Sequence, residues 1–318
     1  MTSSRTQPTR RAVALTVACA LVFGAGVATQ SRINGELGRG LGDGYLAAVI
    51  SFGGGLVILT IAMLWSRNGR AGLRTVVSAV RTRTMPWYYV GGGAAGAGLV
   101  LSQGLTAAIL GVALFTVAIV SGQTLSGLLI DRRGLGTMAP KSLTVTRVLG
   151  SALTLVAVAI AVSAQITSDI PVWMLVMPFI AGIGVGWQQA VNGQVKERAD
   201  SALTATFINF AVGFTVLAVA AVIHVSIAGW PTSAPGEWWL YLGGPIGVVF
   251  IAGAAIAVRI LGVLLLGLAT IAGQLVMSLA LDFVVPSDGH IVVATTVVGT
   301  LLTLVAVVIA GWPSKRAK

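Results

Sequence analysis

The chain has 318 residues, 56% of them hydrophobic and only 9% charged, where a soluble domain carries about 25% charged residues. With a mean hydropathy of +0.94, too few polar side chains remain to cover a water-facing surface, and a soluble α/β enzyme is excluded. The net charge of +11 would suit a nucleic-acid binder if it were clustered. It is dispersed along the chain, so nucleic acid is not expected as a partner and the lipid bilayer is the expected solvent.

The apolar residues come in blocks of about 20, the length that crosses a hydrocarbon core, where only a helix satisfies its own backbone hydrogen bonds. Ten blocks are expected, at 12–33, 44–65, 87–107, 109–130, 142–163, 171–192, 202–224, 238–257, 261–281 and 290–311. The first, behind Arg10-Arg11, could be read as a secretory leader, but a counterpart in mid-chain argues for a retained span. Its lone Cys19 forms neither an internal disulfide nor a metal site. Residues 66–86 read as an Arg-rich loop. Between the third and fourth blocks only Gln103, Gly104 and Thr106 interrupt the apolar run.

With a cytoplasmic N-terminus, alternate loops put Arg5, Arg10, Arg11, the arginines of 66–86, Arg132, Arg133, Lys141, Arg147, Lys196, Arg198, Arg259 and the basic C-terminus inside. Only Arg32 and Arg39 fall outside. Basic residues concentrate in cytoplasmic loops, so both termini are expected there.

The chain also repeats itself. Residues 26–55 align with 184–213, matching Gly26, Gln30, Asn34 and Gly35 to Gly184, Gln188, Asn192 and Gly193. Residues 109–131 align with 260–282, matching Gln123 and Asp131 to Gln274 and Asp282. Each half then holds five spans, and an odd number starts the second half on the opposite side of the membrane. The expected architecture is an all-α integral membrane protein of ten transmembrane helices in two inverted five-helix repeats. Residues 1–11 form a cytoplasmic tail, 12–163 the first repeat, 164–170 an outer linker, 171–311 the second repeat and 312–318 a basic cytoplasmic tail. Inverted repeats are a recurrent plan of secondary transporters.

With G-x3-Q-x3-N-G ending the first helix of each half and G-Q-x7-D ending the fourth, the chain resembles the drug/metabolite transporter superfamily, and within it the YdcZ (DUF606) type. The resemblance covers about residues 12–311. It implies the ten-helix inverted-repeat fold, a place in the bacterial inner membrane and export of a small solute. The small multidrug members carry a coupling glutamate in their first helix. TVACALVFGAGVATQ has no acid, so that mechanism does not transfer.

At about 100° per residue, Gly26, Gln30 and Asn34 share one helix face, as do Gly184, Gln188 and Asn192. Polar groups in hydrocarbon turn to the bundle interior or to a water-filled cavity. The expected pathway residues are therefore Gln30, Asn34, Gln123, Gln188, Asn192, Asn209 and Gln274. Asp282 and Asp131 are gate or coupling candidates. Gln30, Asn34, Gln274 and Asp282 are expected around an outer vestibule, and Gln188, Asn192, Gln123 and Asp131 around its cytoplasmic copy, with Asn209 in mid-span close to the cavity. Gluing helices together is the competing role for each amide. Ser51, the repeat partner of Asn209, and Gln103 and Trp187 are secondary candidates.

The glycine triplets at 53–55 and 91–93 lack the following Lys-Ser or Lys-Thr of a phosphate loop and read as packing. His224 and His290 have no repeated partners, so neither an enzyme nor a metal or other cofactor is expected. The reading is a transporter of a small organic solute, uncharged, zwitterionic or weakly charged. A proton or sodium ion is the coupling partner unless diffusion is facilitated, and the protein is a monomer or homodimer. A non-transporting membrane subunit or scaffold is the alternative.

Overall fold

The computed structural model describes residues 10–134, 145–163, 171–285 and 294–311, and all regular structure among them is helical. Helices α1 (Arg10–Leu41) and α2 (Gly44–Trp65) are separated by a tight turn. There Gly42 takes a φ of 65°. The Asp43 carboxylate then accepts from the N–H groups of Tyr45 and Leu46 at 2.8 and 3.0 Å, satisfying donors that a helix start leaves unpaired.

The segment expected as an Arg-rich loop is instead mostly helix, α3 (Arg67–Arg81). Ser66 starts it by accepting from Gly69 N–H at 2.9 Å, and Gly69, Gly72, Val76 and Ala79 form a buried stripe. Two of those four are glycines, which contribute little apolar signal and disfavour helix intrinsically, so the amphipathic period is hidden in the sequence.

A single turn at Trp87–Tyr89 leads into α4 (Gly92–Ser102), which continues through a π-helical turn, Gln103–Ala107, and Ala108–Leu110. The break before α5 (Val112–Arg133) falls at Gly111, with φ 76°, three residues beyond the expected position. Glycine takes that backbone conformation without a steric penalty. Then come α6 (Val145–Ser163), α7 (Val172–Ala199) and α8 (Ala202–Ala228). A turn at Trp238–Tyr241 precedes α9 (Gly243–Val284), and α10 is Ala294–Gly311.

Helix α9 covers two expected blocks in one helical run. Were it straight, Gly253 and Gly273 would be about 30 Å apart. Yet a Cβ on Gly253 would meet the Phe23 ring, and one on Gly273 would meet the Leu21 carbonyl, on one turn of α1. So α9 doubles back on itself, and both of its arms pack against α1. Among the described residues, seven stretches are long and apolar enough to cross a membrane: Arg11–Leu41, Gly44–Trp65, Trp87–Leu110, Val112–Ile130, Val172–Ala199, Ala202–Ala228 and Leu266–Val284. Three shorter apolar helices, Val148–Ala161, Gly243–Gly253 and Ala294–Ile309, fall on the remaining expected blocks.

Large apolar side chains point outward from α2 and α8 (Val57, Ile61, Val219, Val222), as a lipid-facing surface requires, and Trp65, Trp87, Trp230 and Trp238 stand exposed near helix ends. The first turns of α5 are the most enclosed part of the molecule, with Val112, Ala113, Leu114, Phe115 and Val117 all at or below 1% exposure.

The contacts of one half recur in the other. A Cβ on Gly24 of α1 would strike the Thr270 carbonyl and sit 2.8 Å from Gln274 N; one on Gly182 of α7 would strike the Ile119 carbonyl and sit 3.1 Å from Gln123 N. Gly273 approaches Leu21 O just as Gly122 approaches Phe179 O. Each crossing is a pair of glycines that lets two helix backbones touch. The glycine triplets serve the same purpose: Gly55 lies under the Phe210 ring and Gly93 against the Asn209 carbonyl.

Candidate functional site

Helix α1 presents Gly26, Gln30 and Asn34 to the first arm of α9. Gly26 lies against Ile246, with 3.6 Å from its Cβ position to Cγ2. One turn on, Gln30 Nε2 donates to the Gly243 carbonyl at 2.7 Å, and Gly247 lies beneath the same amide. Asn34 is fully buried. Its Nδ2 donates to Gln103 Oε1 at 2.7 Å, and Gln103 Nε2 donates in turn to Ser31 Oγ at 2.9 Å. Gln103 opens the π-helical turn of α4, an element often found at functional sites. Asn34 Oδ1 and Ser51 Oγ have no hydrogen-bond partner. Both converge on Gly243, where a Cβ would collide with the first and lie 2.8 Å from the second.

The second cluster sits where α7 meets α4 and α8. Gly184 lies against Ala95 at 3.2 Å from its Cβ position. Gln188 Nε2 and Asn192 Nδ2 both donate to Asn209 Oδ1, at 2.8 and 3.0 Å. Gly96 lies beneath the Gln188 amide, and Gly92 stands against Asn192, 2.9 Å from its Cβ position to Oδ1. Asn209 Nδ2 is buried without a partner. Three sequence candidates thus meet at one acceptor. Helices α1, α2 and the first arm of α9 in the first cluster correspond to α7, α8 and α4 in the second, and glycines occupy the same repeat positions, 92 with 243 and 96 with 247; the Gln103 amide of the first cluster has no counterpart.

Gln123 and Gln274 lie apart from these clusters, at the two glycine crossings, where their backbone N atoms face Gly182 and Gly24. Gln274 is buried and Gln123 half-buried. Asp282, 1% exposed, reaches across to the start of α5. Its Oδ1 accepts from Val112 N–H at 2.9 Å and its Oδ2 from Ala113 N–H at 2.7 Å. A carboxylate on two free donors at a helix N-terminus is favoured by both hydrogen bonding and the helix dipole. The side chain of Asp131 and all of His290 lie outside the described residues.

Several partners were not legible beforehand. Gln103 is only a secondary candidate in the sequence, and its repeat position, 254, is alanine. The Gly243 carbonyl and Ser31 hydroxyl gave no signal, since neither residue type marks chemistry. Trp187 packs against buried residues of α3, α7 and α8, and its ring end lies 3.8 Å from the Cβ position of Gly91. His224 stacks on Tyr45 with ring centroids 4.4 Å apart, its Nε2 3.7 Å from Asp43 Oδ2. Two apolar grooves, of about 330 and 270 Å³, lie between α9 and α10 and between α2 and α8. Neither includes an amide of the two clusters. Among the described residues no three His, Cys, Asp or Glu side chains group as metal ligands.

Apolar helices of spanning length, with amides turned inward onto glycines, define a multi-span membrane protein. The chain belongs to the YdcZ family, described as "Putative inner membrane exporter, YdcZ", which it matches over residues 15–160 and again over 173–309. No curated protein matches it in sequence. A solved crystal structure, named only as a protein, superposes with a TM-score of 0.56 at 17% identity, over 95% of this chain and 98% of its own. That likeness concerns the fold alone.

Proposed function

We propose that the protein is a secondary transporter that exports a small organic solute by alternating access of two inverted five-span repeats, with both termini in the cytoplasm. One observation carries the reading. Gln30 and Asn34 lie over Gly243 and Gly247 as Gln188 and Asn192 lie over Gly92 and Gly96. In an inverted topology the two seams face opposite sides of the membrane, and each joins one half of the chain to the other. Parting the first seam exposes Gln30, Asn34 and Ser51; parting the second exposes Gln188, Asn192 and Asn209.

Glycine contacts suit such a seam, because they close without interlocking side chains. The unpartnered Asn34 Oδ1, Ser51 Oγ and Asn209 Nδ2 favour parting, since a buried polar atom left unpaired costs about 1–3 kcal/mol. These amides suit an uncharged, zwitterionic or weakly charged solute. Asp282 is the coupling candidate. Protonation would take an acceptor from the start of α5 and loosen its tie to α9. Gln274 and Gln123 ride on the crossings about which the arms move.

The test is flux into liposomes containing the purified protein, with a panel of neutral, zwitterionic and monocationic organic solutes. The expected result is a solute that crosses faster than in empty liposomes and is slowed by Gln30→Ala and by Gln188→Ala. A panel in which nothing crosses, and nothing raises the thermal midpoint of the protein, overturns the reading.

A further inference from the structure

Helix α3 has no counterpart in the second half, and none of its arginines is used by the seams. Its buried stripe docks on α7 and α8: a Cβ on Gly72 would lie 2.7 Å from the Ala199 carbonyl, and Thr204 Oγ1 donates to the Gly69 carbonyl at 2.8 Å. This fixes which face looks outward. Arg67, Arg74 and Arg81 are all exposed. Spaced seven residues apart, they drift by only about 20° per step and form one stripe about 21 Å long. Ala71 and Ser78, also exposed, fill the positions between them with small side chains. Arg70 is used differently, donating to the carbonyls of Met63 and Leu64 at the end of α2.

No carboxylate answers this stripe. The sequence holds no Asp or Glu between Asp43 and Asp131. The side chains of Arg67, Arg74 and Arg81 form no ion pair or hydrogen bond among the described residues. On the neighbouring turn the exposed Glu197 and Asp200 are offset by Lys196 and Arg198. The helix follows directly on α2, a stretch long and apolar enough to cross a membrane, and it is flanked by exposed Trp65 (82%) and Trp87 (74%), a residue type enriched at membrane–water interfaces.

We infer that the Arg67–Arg74–Arg81 face of α3 is a binding site for the phosphate headgroups of anionic phospholipid. The charges match in sign, and small residues between the arginines leave room for phosphate oxygens to approach. The site needs no solute and no direction of transport. It would place the protein against the anionic leaflet and tie α3, and through it the α7–α8 turn beside the second seam, to lipid composition.

The experiment is native mass spectrometry of the full chain in neutral detergent, titrated with phosphatidylglycerol or phosphatidylcholine. The variants are R67Q/R74Q/R81Q and, as a control on other exposed arginines, R132Q/R133Q. Each arginine in contact with a bound anionic headgroup strengthens binding about fivefold. The triple variant is therefore expected to lose on the order of 100-fold in phosphatidylglycerol affinity, with phosphatidylcholine binding unchanged and the control like wild type. Single variants, each losing about fivefold, decide the matter if the triple fails to fold. Equal binding of the two lipids by wild type, an unchanged preference in the triple variant, or full competition by soluble glycerol phosphate overturns the inference. Because lipid occupancy is read directly, this result is independent of whether any solute is found to cross.

Discussion

Around Asn34 the hydrogen bonds spread along a chain, from Asn34 to Gln103 to Ser31, with Gln30 turned separately to a backbone carbonyl. Around Asn209 they converge, with Gln188 and Asn192 sharing one acceptor. The scaffolds match glycine for glycine, so the difference comes from two substitutions at repeat-equivalent positions. Where the second half has Asn209 the first has Ser51, whose shorter side chain accepts neither amide. Where the first half has Gln103 the second has Ala254. An amide lost from α2 is thus matched by an amide gained on α4. The glycine contacts recur in both clusters, while the polar partners differ.

The largest effect is expected where the scaffold itself is blocked. A Cβ on Gly244 would fall on the Ser51 carbonyl, and one on Gly93 on the Asn209 carbonyl. Neither backbone can turn aside, so Gly244→Ala and Gly93→Ala should each cost about 3 kcal/mol, at the upper end for overpacking, and lower the thermal midpoint by similar amounts. A large difference between the two would break the equivalence of the seams.

Asn209→Ser makes the second cluster resemble the first and strands the buried Gln188 amide and the half-buried Asn192 amide at once. It should cost about 2 kcal/mol, measured as thermal or denaturant stability in detergent. Gln103→Ala makes the first resemble the second and should cost about 1 kcal/mol. Adding Ser51→Asn should recover part of that loss, and the double-mutant cycle reads the coupling directly. Strict additivity would mean that the two positions do not compensate. Gln30→Ala is the smallest, about 0.6 kcal/mol, the average for an interhelical hydrogen bond in a membrane. A stability change that small beside a large loss of flux would separate transport from helix gluing at this residue.

Apolar helices near the ten expected blocks were legible because hydrocarbon thickness sets their length and the missing water dictates helix. The faces carrying Gln30 with Asn34, and Gln188 with Asn192, were legible because helical periodicity is local. Local periodicity does not reach to the partner. Gln103 became visible only when α1 and α4 were seen to cross, and Asp282 proved to cap α5 only when α9 was seen to double back. Even α3, a helix within one short segment, was hidden because its docking stripe is half glycine.

By itself, the sequence determined which segments leave water, which side chains share a face and that the two halves are written on one pattern. All of these follow from composition and from spacing along a single helix. The tertiary structure alone decided which amide meets which acceptor, that glycines rather than acids lie opposite Gln30 and Gln188, and where the free arginines point. Those depend on how closely two backbones approach, and that distance is set by the residues of both helices together.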